Sequence, residues 1–273
     1  MFCWFASVYA AVAVLAAKLL GKKSIVIIGG VDVANEPQFG YGLWRSRWKS
    51  ALVGKAIRTA NKVLVVDPSL KREVLERVNY GGDNIEILPT GYDPNTWNPS
   101  GRKESTVLTV AAIQNEGRLK IKGIDLLFDV ARKLPRVKFI LVGFDPSKFP
   151  NFIPPPNLTC AGVLDPSELL SYYRRAKVYL QPSRREGLSN TLCEAMLCGC
   201  VPVATDVGGS AHAIGNRGVV VPSADVDLLV KGVQRALKMP ATVGKQARNR
   251  IVKTFPKLPR EKRLIDLVRE LGR

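Results

Sequence analysis

Apolar and polar positions along this chain follow two alternating rhythms. Short β-branched runs at 24–28, 62–66, 85–88, 107–113, 138–142, 158–161, 178–181, 201–204 and 218–221 predict strands. Several are apolar throughout, as strands buried on both faces of a parallel sheet are. Between them, apolar residues recur at helical spacing, as in 124–134, 168–176 and 226–237. Strand, helix, strand repetition predicts an α/β architecture with right-handed crossovers onto parallel sheets. Turn formers crowd the segment from Pro89 to Gly101 and divide two α/β runs. The later run has six strands and reads as a complete doubly wound unit. The earlier run has three and reads as part of one.

The first residues need a separate reading. From Phe2 to Ala17 the chain is apolar apart from Ser7 and Tyr9. No positive charge precedes the run, as a secretory signal would require. It is also shorter than the roughly 20 residues of a spanning helix. It reads as a buried helix that passes through Leu15, Leu19 and Leu20 into the strand at 24–28, with membrane insertion as the alternative. A second ambiguous stretch is Trp44-Arg-Ser-Arg-Trp48-Lys49. It suits peripheral contact with an acidic membrane, or a helix with Trp48 and Leu52 in the core. The spacing of Leu264, Ile265, Leu267, Val268 and Leu271 predicts a last helix, with Lys262, Arg263, Arg269 and Arg273 towards solvent.

Composition excludes disorder, collagen and coiled coil for these 273 residues, 46% of them hydrophobic. Charge is the outlier: 41 Lys and Arg against 23 Asp and Glu give +18. That balance predicts an anionic partner, whether nucleic acid, acidic membrane or a phosphate-bearing ligand. Five cysteines without scaffold spacing point to a reducing, cytoplasmic setting. Cys193, Cys198 and Cys200 do not have a zinc spacing, and His212 is the single histidine. Triad hydrolysis is therefore a poor fit.

The most informative stretch runs from Pro182 to Ala204. Ser189 or Asn190 can cap a helix through Met196, and Gly199 can end it in the left-handed conformation. Glu186 then lies in the loop after a strand and Glu194 on the following helix, at the crevice where open α/β sheets bind ligands. Gly187 allows close backbone approach. The N–H groups from Leu188 through Ser189 and Asn190 to Thr191 suit pyrophosphate oxygens. Glu194 can accept hydrogen bonds from vicinal hydroxyls, or can simply stabilise the helix dipole. A strand-to-helix loop from Gln114 to Gly123 carries Arg118, Lys120 and Lys122, a place for phosphate recognition or a solvated basic loop. Gly208 and Gly209 follow a further strand and either offer N–H groups to a ligand or make a turn.

These motifs together resemble the retaining glycosyltransferases of family four, which have the GT-B fold. The residues that carry the resemblance are Pro182-Ser-x-x-Glu186-Gly187, seven residues between Glu186 and Glu194-Ala-Met, then Gly199, Pro202-Val203 and Gly208-Gly209. Lys122-Gly-Ile-Asp125, Leu141-Val-Gly143, Ala161-Gly-Val163 and Ile87-Leu-Pro-Thr-Gly-Tyr-Asp93 support it, so that it covers about residues 24–255. The resemblance implies a partial N-terminal Rossmann-like domain over 1–98 that lacks its first part. It also implies a complete nucleotide-sugar-binding domain over 99–240, and helices over 241–273 crossing back to the first domain. It implies transfer of a sugar from a nucleotide-diphosphate sugar to an unknown acceptor, with retention, and with no metal or other cofactor. Glu186 would lie near the transferred sugar, and Glu194 would hold the ribose. Lys122, with Arg118, would neutralise the diphosphate. The chain departs from the pattern at Ala111-Ala112, where Gly-Arg is usual; at Gly29-Gly30, where a histidine is commonly found; and at His212, where a glutamate often stands. Asp225-Val-Asp227 matches a metal motif but opens a helix, and Asp225 reads as its cap. The alternatives are a non-catalytic or partner-dependent nucleotide-sugar binder, and a basic nucleic-acid-binding protein. No nucleic-acid module is recognisable. The rest of the basic excess fits a membrane surface or a thermophile's surface.

Overall fold

The structure is a computed structural model that describes residues 1–272. The chain divides into two compact units, Tyr92–Pro256 and a unit formed by Met1–Gly91 with the stretch from Lys257 onward. The division falls at Gly91/Tyr92 and not at 98/99. The Tyr92 N–H donates to the Phe255 carbonyl, and Arg248 binds the carbonyls of Pro94 and Trp97. These contacts tie 92–98 to the helix at 241–254.

The first unit holds a four-stranded parallel sheet in the order β1 (Phe2–Trp4), β2 (Ile25–Ile28), β3 (Lys62–Val65), β4 (Ile85–Ile87). Its helices are α1 (Val8–Leu19), α2 (Arg47–Thr59) and α3 (Pro68–Val78), together with the last helix, Lys257–Gly272. The expected single helix over 2–17 is therefore corrected. Residues 2–4 pair with β2, Phe5 turns the chain at φ 71°, and the Ser7 hydroxyl accepts from the Ala10 N–H to start α1. An apolar run of that length is compatible with strand and helix alike. Nor is α1 buried throughout. Ala10, Ala11, Val14 and Ala17 face inward, while Leu19 and Leu20 are exposed.

Trp48 is exposed as well, and the core face of α2 is Val53, Gly54, Ala56 and Ile57. In the last helix only Leu267 among the expected apolar positions is buried; Ile265 and Val268 are exposed. Arg263 is not free towards solvent. It forks onto Glu86 at 2.7 and 2.8 Å and holds that carboxyl below its ordinary pKa. At the carboxyl ends of β1 and β2 the buried Asp32 carboxylate accepts from the N–H groups of Ala6, Gly29 and Gly30 at 2.7–3.1 Å. Burial raises its pKa against the pull of those donors.

The second unit holds a six-stranded parallel sheet made of β5 (Glu104–Val110), β6 (Lys138–Val142), β7 (Leu158–Cys160), β8 (Ala176–Gln181), β9 (Val201–Thr205) and β10 (Val219–Val221). The spatial order is β10-β9-β8-β5-β6-β7, which reverses direction between β5 and β8. Seven helices cover it: α4 (Glu116–Ile121), α5 (Ile124–Lys133), α6 (Pro166–Arg175), α7 (Asn190–Leu197), α8 (Ser210–Ile214), α9 (Val226–Lys238) and α10 (Ala241–Thr254). One core surface joins Leu127, Val130 and Ala131 of α5 to Val107, Phe139 and Leu141 of the sheet, and Leu229 and Val233 of α9 to Val203 and Val221. The basic stretch 114–123 is not simply a loop. Asn115 caps the short helix α4, its side chain accepting from the Arg118 N–H at 2.8 Å. Asp225 caps α9 through the Leu228 N–H. Among the described residues no helix is long and apolar enough to cross a membrane, and no cluster of three or more His, Cys, Asp or Glu could hold a metal.

Candidate functional site

The site sits where the strand order reverses, at the carboxyl ends of β5 and β8, the crevice expected to bind ligands in open α/β sheets. Two segments meet there. The first is the α4–α5 junction, in which Lys122 ends α4 and Gly123 starts α5 at φ 68°. The second is the loop from Pro182 to Ser189 that joins β8 to α7.

A clamp holds the two together. The Arg184 guanidinium grips the Asp125 carboxylate with both nitrogens at 2.8 and 2.9 Å and also binds the Lys120 carbonyl. The Arg184 N–H donates to the Ile121 carbonyl at 2.8 Å. Burial by itself would raise the Asp125 pKa, yet Arg184 and Lys120 hold it below its ordinary value. The backbones pack so closely that a Cβ on Gly123 would lie 2.0 Å from the Pro182 carbonyl oxygen. This clamp places Lys122 against Glu186. The ammonium donates to both carboxylate oxygens at 2.7 and 2.9 Å, and the Ser183 hydroxyl donates to one of them at 2.7 Å. The Glu186 side chain is 8% exposed and that of Lys122 22%.

The other residues singled out from sequence fall around this pair in different ways. Ser189 caps α7, its hydroxyl accepting from the Leu192 N–H. The N–H groups of Leu188, Asn190 and Thr191 have no partner among the described residues, so that the start of α7 presents donors to the crevice. The Asn190 side chain is fixed by the Tyr92 hydroxyl at 2.9 Å, and that of Thr191 by Tyr179 at 2.7 Å. Glu194, one turn further along, accepts from the buried Tyr173 hydroxyl at 3.1 Å, and burial raises its pKa. Gly187 and Gly209 are joined by a backbone hydrogen bond of 2.8 Å, which uses the Gly209 N–H. Gly208 lies flat on the Glu186 backbone, where a Cβ would come within 2.2 Å of the carbonyl oxygen. Arg118 points back to the Ala112 carbonyl at 2.8 Å, at the mouth of β5. Lys120 turns away to Asp125 and the Phe152 ring. The cysteines of α7 and its following turn are buried, and burial pushes the Cys193 thiol up to about 12, which leaves it unreactive.

Sequence reasoning missed Arg184, Asp125, Ser183 and Tyr173 as parts of the site. The first three lie inside motifs already noted, and an acid–base pair of motif residues was the available signal. Tyr173 sits mid-helix in α6 and carries no local signal of its role.

The arrangement offers a cation, a run of backbone donors, two carboxylates held by different partners and a close glycine loop, which together suit a diphosphate joined to hydroxyl-rich groups. Residues 104–239 match the family described as Glycosyl transferases group 1. The chain is 29% identical over 201 residues to a D-inositol 3-phosphate glycosyltransferase of Gordonia bronchialis, covering 62% of this chain and 43% of that one. It is 25% identical over 209 residues to the sulfoquinovosyl transferase SQD2 of Arabidopsis thaliana, covering 70% and 41%. The chain thus spans less than half the length of these two relatives. Among solved structures it resembles a sucrose-phosphate synthase from Thermosynechococcus elongatus with a TM-score of 0.82 at 20% identity, covering 99% of this chain and 73% of that one. It also resembles HepE of Anabaena in complex with UDP-glucose, with a TM-score of 0.80 at 14% identity, covering 98% and 78%. The fold is that of GT-B glycosyltransferases.

Proposed function

The chain carries a glycosyl transferases group 1 domain over residues 104–239, and from that premise we propose that it binds a nucleotide-diphosphate sugar and transfers the sugar to an acceptor hydroxyl with retention of configuration. The observation that carries this reading is the Lys122–Glu186 pair, set beside the open N–H groups of α7 at the sheet's point of reversal. In this reading Lys122 and the N–H groups of Leu188, Asn190 and Thr191 take the diphosphate. Arg118 adds charge from the mouth of β5. Glu194 accepts from the ribose hydroxyls. Glu186 borders the transferred sugar. The acceptor oxygen forms its bond to the anomeric carbon as the bond to the diphosphate oxygen breaks on the same face, and the leaving phosphate takes the acceptor proton. Lys122 answers the charge that grows on the diphosphate, so transfer needs no metal and persists in EDTA.

The test is calorimetry of the full chain with UDP, GDP and ADP sugars. One of them should bind with Kd on the order of 1 µM to 1 mM, the usual range for enzyme substrates. A folded chain that binds none would overturn the reading.

A further inference from the structure

Much of the chain's positive charge lies away from the donor crevice, and one cluster of it is built into a concavity. Arg217, Arg250 and Lys253, with Asn216, Asn249 and Thr254, line an open hollow of about 330 Å³ between the end of α8 and α10. Its lining consists of cations, amides and a hydroxyl, with no carboxylate. Among the described residues none of the three cations pairs with a carboxylate. Arg217 binds the Gln246 side-chain oxygen, and Arg250 binds only backbone carbonyls.

Arg250 is held in place. Its Nε and Nη2 donate to the carbonyls of Ala213 and His212 at 2.8 and 2.5 Å, which secures the last turn of α8. Its planar group lies flat on Gly215, where a Cβ would meet the guanidinium carbon at 2.6 Å. These contacts leave Nη1 uncommitted in a fixed position. A fixed guanidinium loses little freedom on binding and offers directed donors to tetrahedral oxyanions. A half-buried cation flanked by two others and no acid leaves a local positive field that an anion would neutralise.

We propose that this hollow binds a phosphate monoester dianion, separately from the diphosphate of the donor crevice. Nη1 of Arg250 and the Arg217 guanidinium bind the phosphoryl oxygens, Lys253 supplies the third positive charge, and the amides of Asn216 and Asn249 meet neutral parts of the ligand. The ligand is either a free phosphate ester or a phosphate headgroup on a lipid surface.

The experiment titrates the full chain with inorganic phosphate and with glycerol phosphate by calorimetry. In parallel, it is mixed with vesicles of phosphatidylcholine with and without phosphatidic acid in a sedimentation assay. Because Arg250 also supports α8, the test variant is Arg217→Gln with the exposed Lys253→Gln; Lys122→Ala serves as the donor-crevice control. Phosphate binding should survive Lys122→Ala and weaken about tenfold or more in the double variant, as expected for lost charge-assisted hydrogen bonds. Donor-sugar binding should be unchanged in the double variant. Binding to glycerol phosphate alone assigns a soluble ester, and sedimentation that depends on phosphatidic acid assigns the lipid headgroup. Phosphate binding that is absent, that vanishes with Lys122→Ala, or that is untouched in the double variant overturns the proposal.

Discussion

The two units use the same parallel-sheet construction and finish it in opposite ways. In Met1–Gly91 the loops at the carboxyl ends of β1 and β2 close on themselves, because the Asp32 carboxylate collects three backbone N–H groups and is itself buried. In Tyr92–Pro256 the equivalent edge is left open. Its N–H groups at α7 are unpaired among the described residues, and its charges are matched in pairs that remain partly accessible. The same fold can therefore close its loops on their own polar groups or leave those groups open to a ligand.

Substitutions can break this contrast at either end. Lys122→Ala should produce the largest change, lowering transfer about 10²–10³-fold, as loss of a preorganised charge at a developing anion does, with a modest fall in melting temperature from the unpaired Glu186 carboxylate. Activity that survives it would move the diphosphate elsewhere. Asp32→Ala should show the opposite signature. Three donors lose their acceptor in a buried setting, so unfolding in urea should show a loss of about 3 kcal/mol, while donor affinity of the folded fraction stays the same. A milder result is expected for Asp125→Ala, which frees Arg184 from its carboxylate. Donor Kd should rise about tenfold through misplacement of Lys122, and Asp125→Glu should restore part of it. If Kd does not move, the clamp is structural only.

The smallest effect is one of pH. Glu194 has its pKa raised by burial, so its carboxylate is lost on acidification earlier than an ordinary glutamate would be. Donor affinity should be full above that raised pKa and fall as pH drops through it, and Glu194→Gln should flatten the profile. The sign for folding is reversed. A carboxyl whose folded pKa lies above its unfolded value gains relative stability as pH falls. An identical pH profile in wild type and Glu194→Gln would remove Glu194 from the nucleotide.

The open edge was more legible in the sequence than the closed one. The 182–204 segment predicts a strand, a cap at Ser189 or Asn190, a helix and a left-handed Gly199; the structure has the strand, the helix and Gly199, and places the cap at Ser189. Those are local signals, set by caps and glycines. The role of Gly208 could not be read in the same way. Two glycines in a row suit a turn or a ligand, and only the approach of the Glu186 backbone decides between them. The clamp of Arg184 on Asp125 spans 59 residues of sequence, and no periodicity encodes a pairing of that kind. The short β1 was hidden for the opposite reason. Its three residues belong to a longer apolar run, in which the strand–turn–helix break depends on Phe5 and Ser7 and not on hydrophobic pattern.

In the proposed function, the Lys122–Glu186 contact makes the crevice behave like an ion exchanger. The ammonium already carries a counter-anion on two oxygens at 2.7 and 2.9 Å, so an incoming anion gains only the difference between two claims on one cation. A singly charged anion offers little more than the carboxylate it displaces. In the proposed function, a diphosphate brings more charge and also engages the N–H groups of α7, which Glu186 leaves unbonded. On that reading the crevice screens its ligands by valence and reach before any sugar or base is recognised.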